Sequence, residues 1–349
     1  MTSLRIAVLV FAGLIVLLTA SLAGVRATRV VRGRRRDRLA EAPRRALLAF
    51  VAEGGEEGLE DLLAIPAPAW RAAEPVAIAL LGKVRGEAHT ALAEVFDRRG
   101  ATDRAIADLT HRTPVRRARA AELLGDLRRV DAVKPLCHLL ADRAPEVRVV
   151  AVRALGGIGD AVAAEPLLES LTRDVPAQMV ADALSRIGVG AIPALHEALR
   201  HADPLVTVTA LESLALIGAT GSVDLVAETL STREEQAVGI AALAALGKLG
   251  GRASLAPLLA AAEPDKPPAV RAAAARALGE VGAPATADAL AVLLHDPAYD
   301  VAHRAAQALV RLGPRGLAEL HHVSDDATAG GRAGEHAREA LAMAELTGA

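Results

Sequence analysis

From residue 113 to residue 320 one pattern of apolar and polar positions returns seven times. Each copy carries a leucine, at Leu124, Leu155, Leu184, Leu214, Leu246, Leu278 and Leu309, with spacings of 31, 29, 30, 32, 32 and 31 residues. Four positions before it stands Ala120, Ala151, Val180, Ala210, Ala242, Ala274 or Ala305. Three positions after it stands Leu127, Ile158, Ile187, Ile217, Leu249, Val281 or Leu312. Residues at i, i+4 and i+7 share one helical face, so each copy predicts an amphipathic helix. A glycine follows the last apolar residue in every copy but the first, where Arg128 replaces it. Glycine there is the expected left-handed stop.

A second apolar stretch comes after each stop, as at Ala163 to Leu171 and Leu255 to Ala261. The unit is therefore a helical hairpin. One hairpin cannot bury its apolar face alone, so stacking of successive copies is required. The expected fold is all-α, an α-solenoid of hairpins in an armadillo-like superhelix. The small-residue columns should let neighbouring helices approach closely, and the glycines are assigned to the repeat turns.

The carrying residues Asp142, Pro145, Val147, Arg148, Ala151, Arg153, Ala154, Leu155, Ile158 and Gly159 resemble the HEAT repeat family. Within it they resemble the short form named after phycobilisome lyases. Asp265, Pro268, Val270, Arg271, Ala274, Arg276, Ala277, Leu278, Val281 and Gly282 form a near copy. The resemblance implies that the Arg148 column pairs with an acid of a neighbouring repeat. Ala177, Thr207, Gly239 and Ala302 occupy that column elsewhere, so those junctions are expected to lack the pair. The family also implies alternatives of an enzymatic kind, a phycobilin lyase or a metal-dependent hydroxylase. His196-Glu197 is the one His-Glu dipeptide, too few for the four copies such hydroxylases carry.

Upstream the pattern changes. Residues 6–25 contain no charge and have the length a helix needs to cross a hydrocarbon core. The run exceeds the usual apolar stretch of a cleaved signal. A collar of Arg26, Arg29, Arg32, Arg34, Arg35, Arg36 and Arg38 follows, and such a cluster stays on the cytoplasmic side. The expected organisation is a short non-cytoplasmic N-terminus (1–5), a transmembrane helix (6–25) and the basic collar (26–38). Degenerate helical hairpins (39–112), seven repeats (113–322), a flexible loop (323–334) and a capping helix (335–349) complete it. The chain is thus expected in the cell membrane as a single-pass protein with a cytoplasmic body, its collar near anionic lipid.

Composition sharpens this reading. Apolar residues make up 52% of the 349 residues but aromatics only 1%, so Ala, Leu and Val must fill the core. A formal net charge of −2 provides no footprint for nucleic acid, and none is expected as a partner. Charge is uneven along the chain, with 25 basic against 18 acidic residues from Arg26 to Arg153 and 6 against 13 from Asp160 to Glu263. Arg112, Arg116, Arg117, Arg119, Arg128 and Arg129 crowd the first repeat and form a candidate docking patch for an acidic partner.

No catalytic, cofactor-binding or metal-binding residue is assigned. Cys137 falls in the second helix of its repeat and is expected to fill core; of the C-terminal His295, His303, His321 and His322, His295 is expected to open a loop and His321 and His322 to end a helix. The functional expectation is a non-catalytic, membrane-tethered scaffold for an unidentified protein partner.

Overall fold

The computed structural model describes residues 21, 26, 37–53, 58–325 and 331–347. Among them every regular element is a helix and no strand occurs. Apart from residue 21, the apolar run 6–25 lies outside the described residues, as does most of the arginine collar, with Arg26 and Arg38 described and exposed. No described helix is long and apolar enough to cross a membrane.

The chain divides into two compact units, Met1–Ala107 and Asp108–Ala349, so the boundary falls just before the one expected after residue 112. In the first unit, α1 (37–52) buries Ala40, Leu47 and Phe50. It is followed by α2 (Leu59–Ala64), α3 (Ala67–Leu81) and α4 (Glu87–Arg98), and α5 (Ala101–Asp108) reaches the boundary. The turn after α2 is held by Arg99, whose Nη2 donates to the carbonyls of Leu62, Leu63 and Ile65 at 2.5, 3.1 and 2.9 Å. The same guanidinium lies 4.2 Å from the centroid of the buried Trp70 ring. One cation thus satisfies carbonyls left over at a helix end and covers an aromatic face. Desolvation lowers the pKa of Arg99, against the opposing pull of Glu74.

The second unit is the repeat array. Its first helices are α6 (Pro114–Asp126), α8 (Pro145–Ile158), α10 (Ala177–Ile187), α12 (Pro204–Ile217), α14 (Gln236–Leu249), α16 (Pro268–Val281) and α18 (Tyr299–Arg311). Each packs on the next of the series. The second helices are α7 (Val133–Leu139), α9 (Ala164–Glu169), α11 (Ile192–Ala198), α13 (Val223–Thr232), α15 (Arg252–Ala261), α17 (Ala287–Leu293) and α19 (Pro314–Asp325). All seven leucines of the repeat column are 0% exposed, which confirms the register. Burial of each contributes about 1.5–3 kcal/mol. Proline opens α6, α8, α12 and α16 at the first turn, where its missing N–H costs nothing.

Glycine has two roles here, not one. At the stops, Gly159, Gly218 and Gly282 adopt the left-handed conformation, and Arg128 takes the same hand at φ 52° without glycine's freedom. Gly125, Gly156, Gly247 and Gly279 lie inside helices instead, immediately after the core leucine. A Cβ on Gly125 would sit 2.6 Å from the Cα of Ala154, and one on Gly156 2.7 Å from the Cα of Ala183. Gly247 meets Ala277 and Gly279 meets Ala308 in the same way. The assignment of all glycines to turns is therefore corrected: four of them set how closely consecutive first helices approach.

At the C-terminal end α19 continues to Asp325 and α20 runs Arg332–Thr347, packing on α18 and α19. Helix extends from both sides into the segment expected to be a loop at 323–334, and residues 326–330 lie outside the described set.

Candidate partner-binding groove

The arginines of the first repeat separate by environment. Arg117 is buried at 6% exposure, and its Nε and Nη2 donate to the Asp142 carboxylate at 2.6 and 2.7 Å. It belongs to the junction between two repeats and is removed from the docking patch. Arg116 donates to Asp108 at 2.6 and 2.9 Å, and Arg129 to Asp131 at 2.9 Å. Arg112, Arg119 and Arg128 remain exposed. With Arg117 turned inward and Arg116 and Arg129 paired with acids, Arg112, Arg119 and Arg128 are the arginines left to a docking surface.

The same junction chemistry recurs once. Arg271 donates from Nε and Nη2 to Asp296 at 2.7 and 2.8 Å. In both copies the acid also accepts the backbone N–H two residues on, from Ala144 or Ala298, at 2.8 Å, so it caps the turn entering the next first helix. Desolvation raises the pKa of Asp142 and of Asp296. The bonds from arginine and backbone outweigh it and hold both below the usual carboxylate range. Arg148, in the same column, makes no ion pair among the described residues, although Asp174 stands two residues before the N-cap of α10 as Asp142 and Asp296 stand before theirs. It donates to its own repeat's Asp142 carbonyl at 2.9 Å, and its Nε has no partner. The missing pair thus extends to a junction that kept its arginine.

Between α9 and α11 lies a cavity of about 740 Å³. Its floor is Leu168, Ala198 and Val206, all buried. Its walls carry Glu165, Glu169 and Glu197, all exposed, with Arg173 and His201 at the edge. A smaller cavity of about 150 Å³ lies between α11 and α13, lined by Glu228 together with Arg200 and Arg233. Glu197 has Arg200 at 3.7 Å, while the carboxylates of Glu165, Glu169 and Glu228 have no ion-pair partner among the described residues. An apolar floor with unpaired carboxylates above it suits a ligand that presents cations along an apolar stem, such as Lys or Arg side chains.

Sequence reading placed the acidic surplus in this stretch but not on one face. A signal was present. Glu169, Glu197 and Glu228 stand 14, 13 and 14 residues after their core leucines, so they occupy one column of the array. His138, Ala260, Val292 and Val323 fill that column in the other repeats.

Other candidate chemistry is accounted for by packing. His196 shares a hydrogen bond with the Ser222 hydroxyl at 2.8 Å, which ties α11 to the next hairpin. Cys137 is half-buried, and burial, then the charge of Asp160, pushes its thiol pKa up, away from a reactive thiolate. His295, His321 and His322 do not gather around His303. That residue instead meets His336 and Glu339 of α20.

A family model described as HEAT repeats matches residues 102–188, 192–267 and 255–342. No curated protein matches the chain. Among solved structures, Kap121p bound to RanGTP aligns with a TM-score of 0.50 at 15% identity, over 81% of this chain and 38% of that one. Kap121p bound to Pho4p aligns with a TM-score of 0.50 at 16% identity, over 80% and 38%. Human deoxyhypusine hydroxylase in complex with glycerol gives a TM-score of 0.32 at 21% identity, over 76% and 98%. Identities this low speak to fold alone, and the chain spans well under half of Kap121p. The stacked hairpins, their buried leucine column and the family match over more than half of the residues agree: the chain belongs to the HEAT repeat family.

Proposed function

We propose that this chain is a non-catalytic scaffold that binds a basic protein segment along the second-helix groove of α9, α11 and α13. The observation that carries the reading is the apolar-floored groove whose Glu165, Glu169 and Glu228 carboxylates lack ion-pair partners. The exposed carboxylates favour a basic partner and speed its encounter, while Arg173, Arg200 and Arg233 interrupt the acidic lining. Solved chains of the same fold hold protein partners, RanGTP and Pho4p among them, which accords with a binding role. The proposal includes a tether: residues 6–25 span the cell membrane and the arginines at 26–38 keep the body cytoplasmic.

Proximity labelling from the full chain in its membrane tests the groove. The triple substitution Glu165→Lys, Glu169→Lys, Glu197→Lys should leave helicity and Tm near the parent values, since all three side chains are exposed. It should also remove a discrete set of labelled neighbours. An unchanged labelling pattern in a folded variant rules the groove out. A reporter fused after Ala349 tests the tether: cytoplasmic activity is expected, and activity across the membrane overturns it.

A further inference from the structure

Helix α20 closes the array against α18, and the contact brings three ligand-type side chains to one point. His336 and Glu339, three residues apart, lie on one face of α20, and His303 faces them from α18. One donor atom from each lies within 4.8 Å of the others. We propose that His303, His336 and Glu339 bind a divalent first-row transition ion of the zinc class. Two imidazoles and one carboxylate form a donor set of borderline softness that suits such ions, not calcium or magnesium.

The surroundings prepare the ligands. Tyr299 stacks on His303 with centroids 5.6 Å apart and meets the His336 ring edge-on at 4.8 Å, which restrains both imidazoles. The side-chain amide of Gln307 lies 2.9 Å from Nε2 of His303, and its oxygen accepts from Arg304 at 3.2 Å. That second bond makes the Gln307 amide nitrogen the donor to Nε2 of His303, so an ion must displace this one hydrogen bond to take the Nε2 lone pair. His336 is 5% exposed, and its ring makes aromatic contacts but no hydrogen bond among the described residues. His336 also lines the cavity beside it, so its nitrogens are open to a ligand.

Entry and adjustment are both available. A cavity of about 450 Å³ opens beside the three residues. Bonds of about 2.0–2.2 Å place tetrahedral ligands roughly 3.3 Å apart. Glu339 is exposed and free to rotate, so it can close the remaining gap. With three protein ligands the fourth position faces the cavity and takes water. The ion staples the terminal helix to the last repeat, and its binding energy becomes stability of that end of the array.

The experiment uses the full untagged chain in detergent, stripped with chelator, then titrated with Zn(II) by calorimetry and with Co(II) by visible absorption. One equivalent of Zn(II) should bind and raise Tm, and Co(II) should give the ligand-field band of a four-coordinate site. Glu339→Gln changes an exposed side chain and leaves the fold in place, so it should weaken Zn(II) by at least about tenfold and alter the Co(II) band. His303→Ala and His336→Ala should abolish binding, while the double variant His321→Ala, His322→Ala should bind as the parent does. No stoichiometric Zn(II) binding overturns the proposal. So does binding that survives both Glu339→Gln and His303→Ala, or that disappears with His321 and His322.

Discussion

Single side chains at the repeat junctions carry the array's dependence on pH. Asp142 and Asp296 each accept two bonds from a buried arginine and one from a backbone N–H, and both have a depressed pKa in the folded chain. An unfolded aspartate titrates near ~3.9. A depressed folded value means that their contribution is fully present above that point and is lost as pH falls through the folded values. Thermal melts taken downward from neutrality should therefore show Tm holding to about pH 4 and then dropping. The double variant Asp142→Asn, Asp296→Asn should start lower at neutral pH and fall less steeply in acid. A variant profile parallel to the parent's would mean that these junctions do not set the acid limit. Which arginine finds an acid was only half legible from sequence. The column was readable, but Arg148 makes no ion pair among the described residues although Asp174 occupies the matching position before α10, where it takes a left-handed backbone at φ 56°.

Helices in this array are spaced by what their side chains leave out. Gly156 and Gly157 are neighbours in α8, yet they face different surroundings. A Cβ on Gly156 would meet Ala183 Cα at 2.7 Å, whereas one on Gly157 would have nothing nearer than the Gly125 carbonyl oxygen at 3.5 Å. Gly156→Ala should therefore destabilise by about 1–3 kcal/mol through overpacking. Gly157→Ala should be neutral or stabilise by up to ~1 kcal/mol, because alanine is the better helix former. Urea unfolding of the two single variants measures both, and equal effects would show that α8 and α10 are not in the close contact described. The leucine column and the turn glycines were readable because each follows from one helix alone. Packing glycines and the His303–His336–Glu339 cluster were not, because each depends on two helices meeting. For the cluster the local hint was His336-x-x-Glu339, a spacing that puts both side chains on one face of α20.

At the scale of the molecule, the contact pattern divides the chain at Ala107 and Asp108, and each unit has its own buried residues. Phe50, Trp70 and Phe96 serve the first, whereas the second relies on leucine, alanine and valine. In a repeat array, stability is close to a sum of hairpin and nearest-neighbour terms, so interactions within the array should suffice to fold it. Both junction pairs, the four packing glycines, the groove and the His303 cluster all lie after Asp108. A fragment comprising residues 108–349 should therefore be helical by circular dichroism and melt in a cooperative transition. It should also keep the acid-dependent loss of Tm, since Asp142 and Asp296 remain with their arginines. A fragment that binds hydrophobic dye and melts without cooperativity would show that the array needs the first unit to cover its leading hairpin. The division of labour would then be wrong. The first unit would be part of the scaffold's core and not a separate folding unit.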